Sequence, residues 1–187
     1  ERHMNAGIIS SRYAKALLEY VRESGSGSDV YVQACTLVRV MNALPQMKEY
    51  VVNQTDVTVE RKVSLMSAAL SAPVEPAIVR FLQMVTGHHR VEYFPRMLLS
   101  FIEQYRQAQN IKVGSLVTAV HDEGLGERLE TLFHDRTGAE VHLEERVNPD
   151  IIGGFVFELD GYRLDASVES HLERLRRHLI EKNNRIV

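Results

Sequence analysis

Along the first part of the chain, apolar positions recur at three- and four-residue steps, the period of helices with one buried stripe. Ile9, Tyr13, Ala16, Leu17, Tyr20 and Val21 make such a stripe, and Ser24-Gly25-Ser26-Gly27-Ser28 breaks it. Asp29 is placed to cap a second helix running towards Leu44, with Val30, Ala34, Leu37, Val38 and Met41 on its apolar face. Pro45 suits the first turn of a short third helix. Thr58 precedes a fourth carrying Val63, Met66, Ala69 and Leu70, and Pro73 and Pro76 punctuate the start of a fifth with Ile78, Phe81, Leu82 and Val85. Gly87 is expected to end the fifth, because glycine accepts the left-handed conformation common after a helix. A sixth is expected from Val91 to Gln109, with Phe94, Leu98, Phe101, Ile102 and Tyr105 inward. Short connections between them predict a compact bundle.

The period then changes. Leu116, Thr118 and Val120 alternate with Val117 and Ala119, a strand that Gly114 is expected to interrupt with a bulge. A helix follows with Leu125, Leu129, Leu132 and Phe133 on one face and Gly138 at its end. Val141, Leu143 and Val147 alternate in a second strand, and Asn148-Pro149-Asp150 turns the chain. Phe155-Val156-Phe157 begins a third strand, and Asp160-Gly161 is a favoured pair for a two-residue hairpin, leading to Tyr162 and Leu164 in a fourth. Ser167 caps a last helix with Glu169 in its first turn and Val168, Leu172, Leu175 and Leu179 as its stripe. The chain therefore divides into an all-α part over 5–109, read as six helices, and a small α/β part over 110–187, an α+β protein as a whole.

Composition narrows the class without changing this division. With 44% hydrophobic and 25% charged residues in 187, the chain belongs with globular proteins rather than disordered or fibrous ones. No charged and apolar leader precedes a cleavage site, and no apolar run is long enough to cross a bilayer, so a cytoplasmic setting is expected. Cys35 is the sole cysteine, which excludes an internal disulfide and a thiolate zinc cluster. Residues 4–110 carry 11 basic and 9 acidic side chains, and residues 111–187 carry 10 and 15, or net +2 and −5. Neither part has the basic face that phosphate-backbone binding requires, so nucleic acid is not an expected partner.

The candidate chemistry is sparse. Gly153-Gly154 precedes a strand, whereas a dinucleotide fingerprint follows one and opens a helix, so the pair reads as a bend with close backbone approach. His88-His89 are adjacent and do not face one ligand; they read as partners of helix-end carbonyls. His121 and Asp122 end a strand, where α/β enzymes place catalytic groups, but no nucleophile elbow or paired-histidine zinc motif accompanies them. Asp165 beside Ser167 reads as a turn acid ahead of a capping serine. Arg174, Arg176 and Arg177 alternate with Glu169, Glu173 and Glu181 in sequence, as on a solvated helix. Two alternatives stand beside a non-catalytic reading: a small α/β enzyme using the His121/Asp122 region and Asp165, and a helical adaptor with a nucleic-acid-binding α/β part.

Two motifs carry a resemblance. "SRYAKALLEY" is similar to the first-helix signature of the F-type ATP synthase delta subunits, relatives of the mitochondrial oligomycin-sensitivity-conferring protein. "VNPDIIGGFVFELDGYRLDASVESHLERLRRHL" resembles their C-terminal signature, in which Gly153, Gly154, Asp160, Gly161, Asp165 and Ser167 form the structural motif. "HHRVEYFPRMLLSF" is similar to a weaker pattern between them. Ala166 stands where that family often has glycine, and His88-His89 replace a more usual acidic or Asn-Gly pair. The resemblance implies a six-helix N-terminal bundle, a smaller α/β domain, and a non-catalytic place in the peripheral stalk. Such a subunit joins the catalytic head to the stalk so that the head does not turn with the rotor. It implies one copy per complex, at the cytoplasmic face of a bacterial inner membrane, touching the membrane only through the complex. No cofactor, metal or small-molecule substrate is implied. The implied partners are the N-terminal helix of an alpha subunit, held between the first and fifth helices, and the C-terminal end of the b-subunit stalk. Tyr13, Ala16, Leu17 and Tyr20, with Phe81, Met84 and Val85, are the candidate groove residues on those helices.

Overall fold

The structure is a computed structural model of the chain and describes residues 2–53, 57–122 and 124–183. It separates into two compact units, Glu1–Ala108 and Gln109–Val187. Together they make an α+β protein with eight α-helices and a four-stranded mixed sheet among the described residues.

The first unit holds α1 (Arg2–Ser24), α2 (Gly27–Ala43), α3 (Pro45–Asn53), α4 (Val59–Leu70), α5 (Pro76–Gly87) and α6 (Phe94–Ala108). α6 packs against both α1 and α2. Its Phe94, Met97, Leu98 and Phe101 meet a core containing Ala14 and Val21 of α1, Leu37 of α2 and Ile78, Leu82 and Val85 of α5, all fully buried. Each large apolar side chain taken out of water this way contributes about 1.5–3 kcal/mol, so the inward stripes hold the unit together. Aromatic rings tie it further: Tyr31 stacks on Tyr105 with centroids 4.8 Å apart, and Phe81 lies 6.0 Å from Phe94.

Several element boundaries differ from the sequence expectation. α2 begins at Gly27, because the chain reverses at Gly25 and the Ser26 carbonyl already accepts Val30 N–H at 3.1 Å. Asp29 is therefore not the cap but a first-turn acid, a place the helix dipole still favours. Gly87 is the last residue of α5, and the left-handed residue after it is His89, at φ 54°. That backbone lets Arg90 N–H reach the Val85 carbonyl at 3.0 Å and His89 N–H the Thr86 carbonyl at 2.9 Å, covering carbonyls the helix leaves open. The expected sixth helix is two pieces, a 3₁₀ turn over Val91–Tyr93 and then α6. Pro95 explains the break, since it has no N–H to continue a helix from Val91 but is tolerated in a first turn.

In the second unit, β1 (Ile111–Thr118), α7 (Leu125–Thr137), β2 (Glu140–Val147), β3 (Phe155–Leu159), β4 (Tyr162–Asp165) and α8 (Val168–Asn183) follow in order, with a 3₁₀ turn at Pro149–Ile151. The sheet order is β2-β1-β3-β4; β1 runs parallel to β2 and antiparallel to β3, and β3 runs antiparallel to β4. Leu116, Val141, Phe157 and Leu159 form its core, covered by Leu125, Leu129 and Phe133. Leu132, expected on that face, is 46% exposed, and the strand stops at Thr118 with Val120 outside it and exposed.

Gly114 makes no bulge. It sits in regular register between Leu143 and Leu159, and a Cβ there would come within 2.5 Å of the Glu158 carbonyl oxygen. Its role is close strand approach. The hairpin turn has Asp160 at φ 51° and Gly161 at φ 81°, the two positive angles this turn type needs, and Lys112 Nζ closes on Asp160 Oδ2 at 2.8 Å.

Candidate functional site

α1 and α5 leave a shallow open groove of about 220 Å³ between them, lined by Ala16, Leu17, Tyr20, Ala77, Arg80, Phe81 and Met84. The sequence makes it in a simple way. Leu17 and Phe81, each 3% exposed, form a floor shared with the core, while the alanines leave room above it. Tyr20 and Met84 stand as walls, 36% and 38% exposed. Arg80 supplies the polar rim: its Nη1 donates to the Tyr20 hydroxyl at 2.7 Å, with the guanidinium carbon 5.9 Å from the ring centroid. Two facing helix rows at three- and four-residue spacing, apolar at the floor and polar at the rim, complement the apolar face of an amphipathic helix.

Of the candidate groove residues, Ala16, Leu17, Tyr20, Phe81 and Met84 meet here. Val85 does not; it is fully buried in the core, because it lies one position past Met84 and turns inward. Tyr13 is half-buried beside the turn after α5. Its hydroxyl accepts Arg90 Nη1 at 3.0 Å and lies 3.2 Å from His88 Nδ1, and its ring meets Phe81 edge-on at 6.4 Å. Ala77 and Arg80 escaped the sequence reading. Ala77 lies one turn before Phe81, a signal available in the spacing, but a search for apolar bulk passes over both an alanine and a cation.

The C-terminal motif is scaffolding. Gly154 has φ 76°, and a Cβ on it would collide with the Ala166 carbonyl oxygen. The Val168 N–H donates to the Gly153 carbonyl at 2.9 Å, so the glycine pair brings the start of α8 against the turn that precedes β3. Asp165 Oδ1 accepts Ser167 N–H at 3.1 Å and Ser167 Oγ–H at 2.6 Å, and Oδ2 accepts Ser170 Oγ–H at 2.8 Å. Hydrogen bonds from the two serine hydroxyls, then from the Ser167 amide, hold the Asp165 carboxyl down at a pKa of about 2. Ser167 Oγ accepts Ser170 N–H at 3.2 Å, capping α8. Its hydroxyl is thus already engaged as donor and acceptor, and its acid is ionised: a cap, not a nucleophile with a base.

Asp122 is likewise structural. Its Oδ1 accepts the N–H groups of Gly124 at 3.1 Å and Leu125 at 3.2 Å, opening α7, and His121 beside it is exposed. The second unit also has an apolar hollow of about 530 Å³ on the α7 side of the sheet, where Phe133, Phe157, Leu159 and Leu164 are reached from solvent beside Tyr162. Among the described residues, no group of three or more His, Cys, Asp or Glu is placed to hold a metal ion, and no helix is long and apolar enough to cross a membrane.

The architecture is a helical unit with an open apolar groove, followed by a small mixed-sheet unit. The comparisons with known proteins place it in a family. The sequence profile of the ATP synthase delta (OSCP) subunit matches residues 9–179. The chain is 35% identical to the ATP synthase subunit delta of Phocaeicola vulgatus, over 98% of this chain and 100% of that one. It is 36% identical to the corresponding subunit of Bacteroides fragilis over the same shares. Against that of Moorella thermoacetica it is 33% identical, over 94% and 98%. Its fold is similar to a chain in the cryo-EM structure of the Toxoplasma gondii mitochondrial ATP synthase hexamer, with a TM-score of 0.60 at 19% identity, covering 91% of this chain and 97% of that one. The chain belongs to the family of ATP synthase delta (OSCP) subunits. It is a non-catalytic component of the peripheral stalk.

Proposed function

We propose that unit Glu1–Ala108 serves as the six-helix bundle of this family and grips the N-terminal helix of an alpha subunit in the α1–α5 groove. The second unit, Gln109–Val187, meets the C-terminal end of the b-subunit stalk. One copy per complex then links the alpha/beta head to the stalk at the cytoplasmic face of a bacterial inner membrane, and resists rotor torque while ATP is made. The observation that carries this reading is the groove itself: buried Leu17 and Phe81 beneath half-exposed Tyr20 and Met84.

The energetics suit a clamp. Nanomolar binding corresponds to about 12 kcal/mol, and a few buried anchors with a polar rim supply it. A part that holds against torque works through slow release, which deep anchors govern more than charge steering does. Met84→Asp places a charge on the groove wall at a position exposed enough for the fold to accept it. It is expected to weaken binding of a synthetic alpha N-terminal peptide at least tenfold by fluorescence anisotropy, with the melting temperature unmoved. Unchanged affinity would take Met84 out of the site.

A further inference from the structure

Two tyrosines of α1, Tyr13 and Tyr20, stand seven residues apart, which puts them on one face about two turns from each other. Each holds an arginine. Arg80 Nη1 donates to the Tyr20 hydroxyl at 2.7 Å, and Arg90 Nη1 donates to the Tyr13 hydroxyl at 3.0 Å. The guanidinium carbons lie 5.9 Å and 5.5 Å from the two ring centroids, within reach of the negative ring face. One pair stands on the groove rim. The other lies past the end of α5, where Tyr13 meets Phe81 of the groove floor edge-on. A third such pair, Arg106 with Tyr31, is half-buried and ties α6 to α2 internally, whereas Arg80 and Arg90 are both exposed.

These two pairs lack an acid. Among the described residues, no carboxylate oxygen comes within 4.0 Å of either arginine. Arg80 is the one charged side chain in the sequence of α5, and the turn after it continues with His88, His89 and Arg90. A tyrosine orients a guanidinium without neutralising it, so two aimed positive charges flank an apolar groove.

We propose that Arg80 and Arg90 select the guest helix, which carries two carboxylates about seven residues apart on one flank, one for each arginine. This rests on the reading that the α1–α5 groove holds an alpha N-terminal helix, and adds a charge rule to the apolar one. Seven residues of a guest helix advance as far as the seven from Tyr13 to Tyr20, so both acids come into register together. The tyrosines also hold the arginines in place beforehand, which spares part of the ordering cost that leaves most surface ion pairs weak. The apolar floor supplies strength, and the arginines reject helices with a basic flank. An acidic lipid surface is a poorer source of the two anions, because Glu19 and Glu23 are exposed on the same helix as the tyrosines and repel it.

The test uses the full chain and the synthetic alpha N-terminal peptide, read by fluorescence anisotropy. Arg80→Gln and Arg90→Gln are each expected to weaken binding about threefold at about 50 mM salt, with the melting temperature unmoved. The double variant is expected to lose about tenfold, because separated sites add, and at about 500 mM salt the losses shrink below about twofold. Replacing each acidic residue of the peptide by its amide identifies the partners on the unaltered chain. Two acids about seven residues apart are expected, one losing its effect in Arg80→Gln and the other in Arg90→Gln. Tyr20→Phe keeps the charge and is expected to bind within about twofold of the unaltered chain. Unchanged affinity in the double arginine variant overturns the proposal, while a loss in Met84→Asp leaves the groove reading standing. Coupling to acids at another spacing, or to none, overturns it as well. A Tyr20→Phe loss as large as that of Arg80→Gln and insensitive to salt does the same, by making the arginine a prop for the groove wall. If the unaltered chain does not bind the peptide, the groove reading falls and this inference with it. Co-flotation with phosphatidylglycerol vesicles that the double variant abolishes and the peptide does not compete away overturns it in favour of a membrane.

Discussion

Lys62 lies 2% exposed in α4, and its ammonium donates to the Val51 carbonyl at 2.9 Å, bridging α4 to α3. Burial lowers its pKa from 10.5. The unfolded chain keeps that proton up to 10.5 while the folded chain releases it earlier, so the unfolded state binds more protons in between. Stability from this site therefore rises as pH climbs through the folded pKa and levels off above 10.5. Lys62→Ala is expected to cost about 2–4 kcal/mol in urea unfolding, from the cavity and the lost hydrogen bond, and to flatten that alkaline rise. Asp165 works in the same sense, but in the acid range. Its folded pKa of about 2 lies below the ordinary 3.8, so its contribution is complete above 3.8 and is lost as pH falls towards 2. Asp165→Asn is expected to lower the melting temperature at neutral pH and to shrink the fall in stability between those two values. The two residues differ in how much the sequence reveals of them. An acid ahead of a serine and a helix is a local motif, so Asp165 and Ser167 were legible as turn and cap. A buried lysine contradicts the polar-outside pattern, and no period marks it.

At the scale of elements, periodicity reads faces better than ends. The inward residues expected of α5 and α6 are buried, because a stripe averages over several turns. Ends depend on single hydrogen bonds: His89 takes the left-handed turn where Gly87 seemed the natural choice, and Pro95 cuts a 3₁₀ turn from α6. The groove was half legible for the same reason. Spacing brings Tyr20, Phe81 and Met84 to adjoining faces of α1 and α5. Whether an alanine beside them is filler or a gap depends on what the neighbouring helix leaves uncovered, which one helix's sequence does not contain. Ala16 makes that distinction testable, since it is exposed and lines the groove. Ala16→Trp fills the hollow without entering the core. It is expected to reduce alpha-peptide affinity at least tenfold by calorimetry while leaving the unfolding midpoint in place.

For the molecule as a whole, the period changes near residue 110 and the two compact units divide after Ala108. The strand pairing was the part least open to a sequence reading. The Asp160-Gly161 turn names the β3–β4 hairpin directly, but nothing in β1 announces that β2 lies on one side of it and β3 on the other. That placement has a consequence for how the chain is made. β1 leaves the ribosome before both of its neighbours, with β2 ending at Val147 and β3 beginning at Phe155. Until Phe155 has been added, the strand destined for the middle of the sheet has at least one bare edge, the condition under which nascent chains stick to one another. Synthesis between Thr118 and Leu159 is therefore an interval in which β1 stands with an open edge, and a chaperone that shields Ile111–Thr118 would cover it.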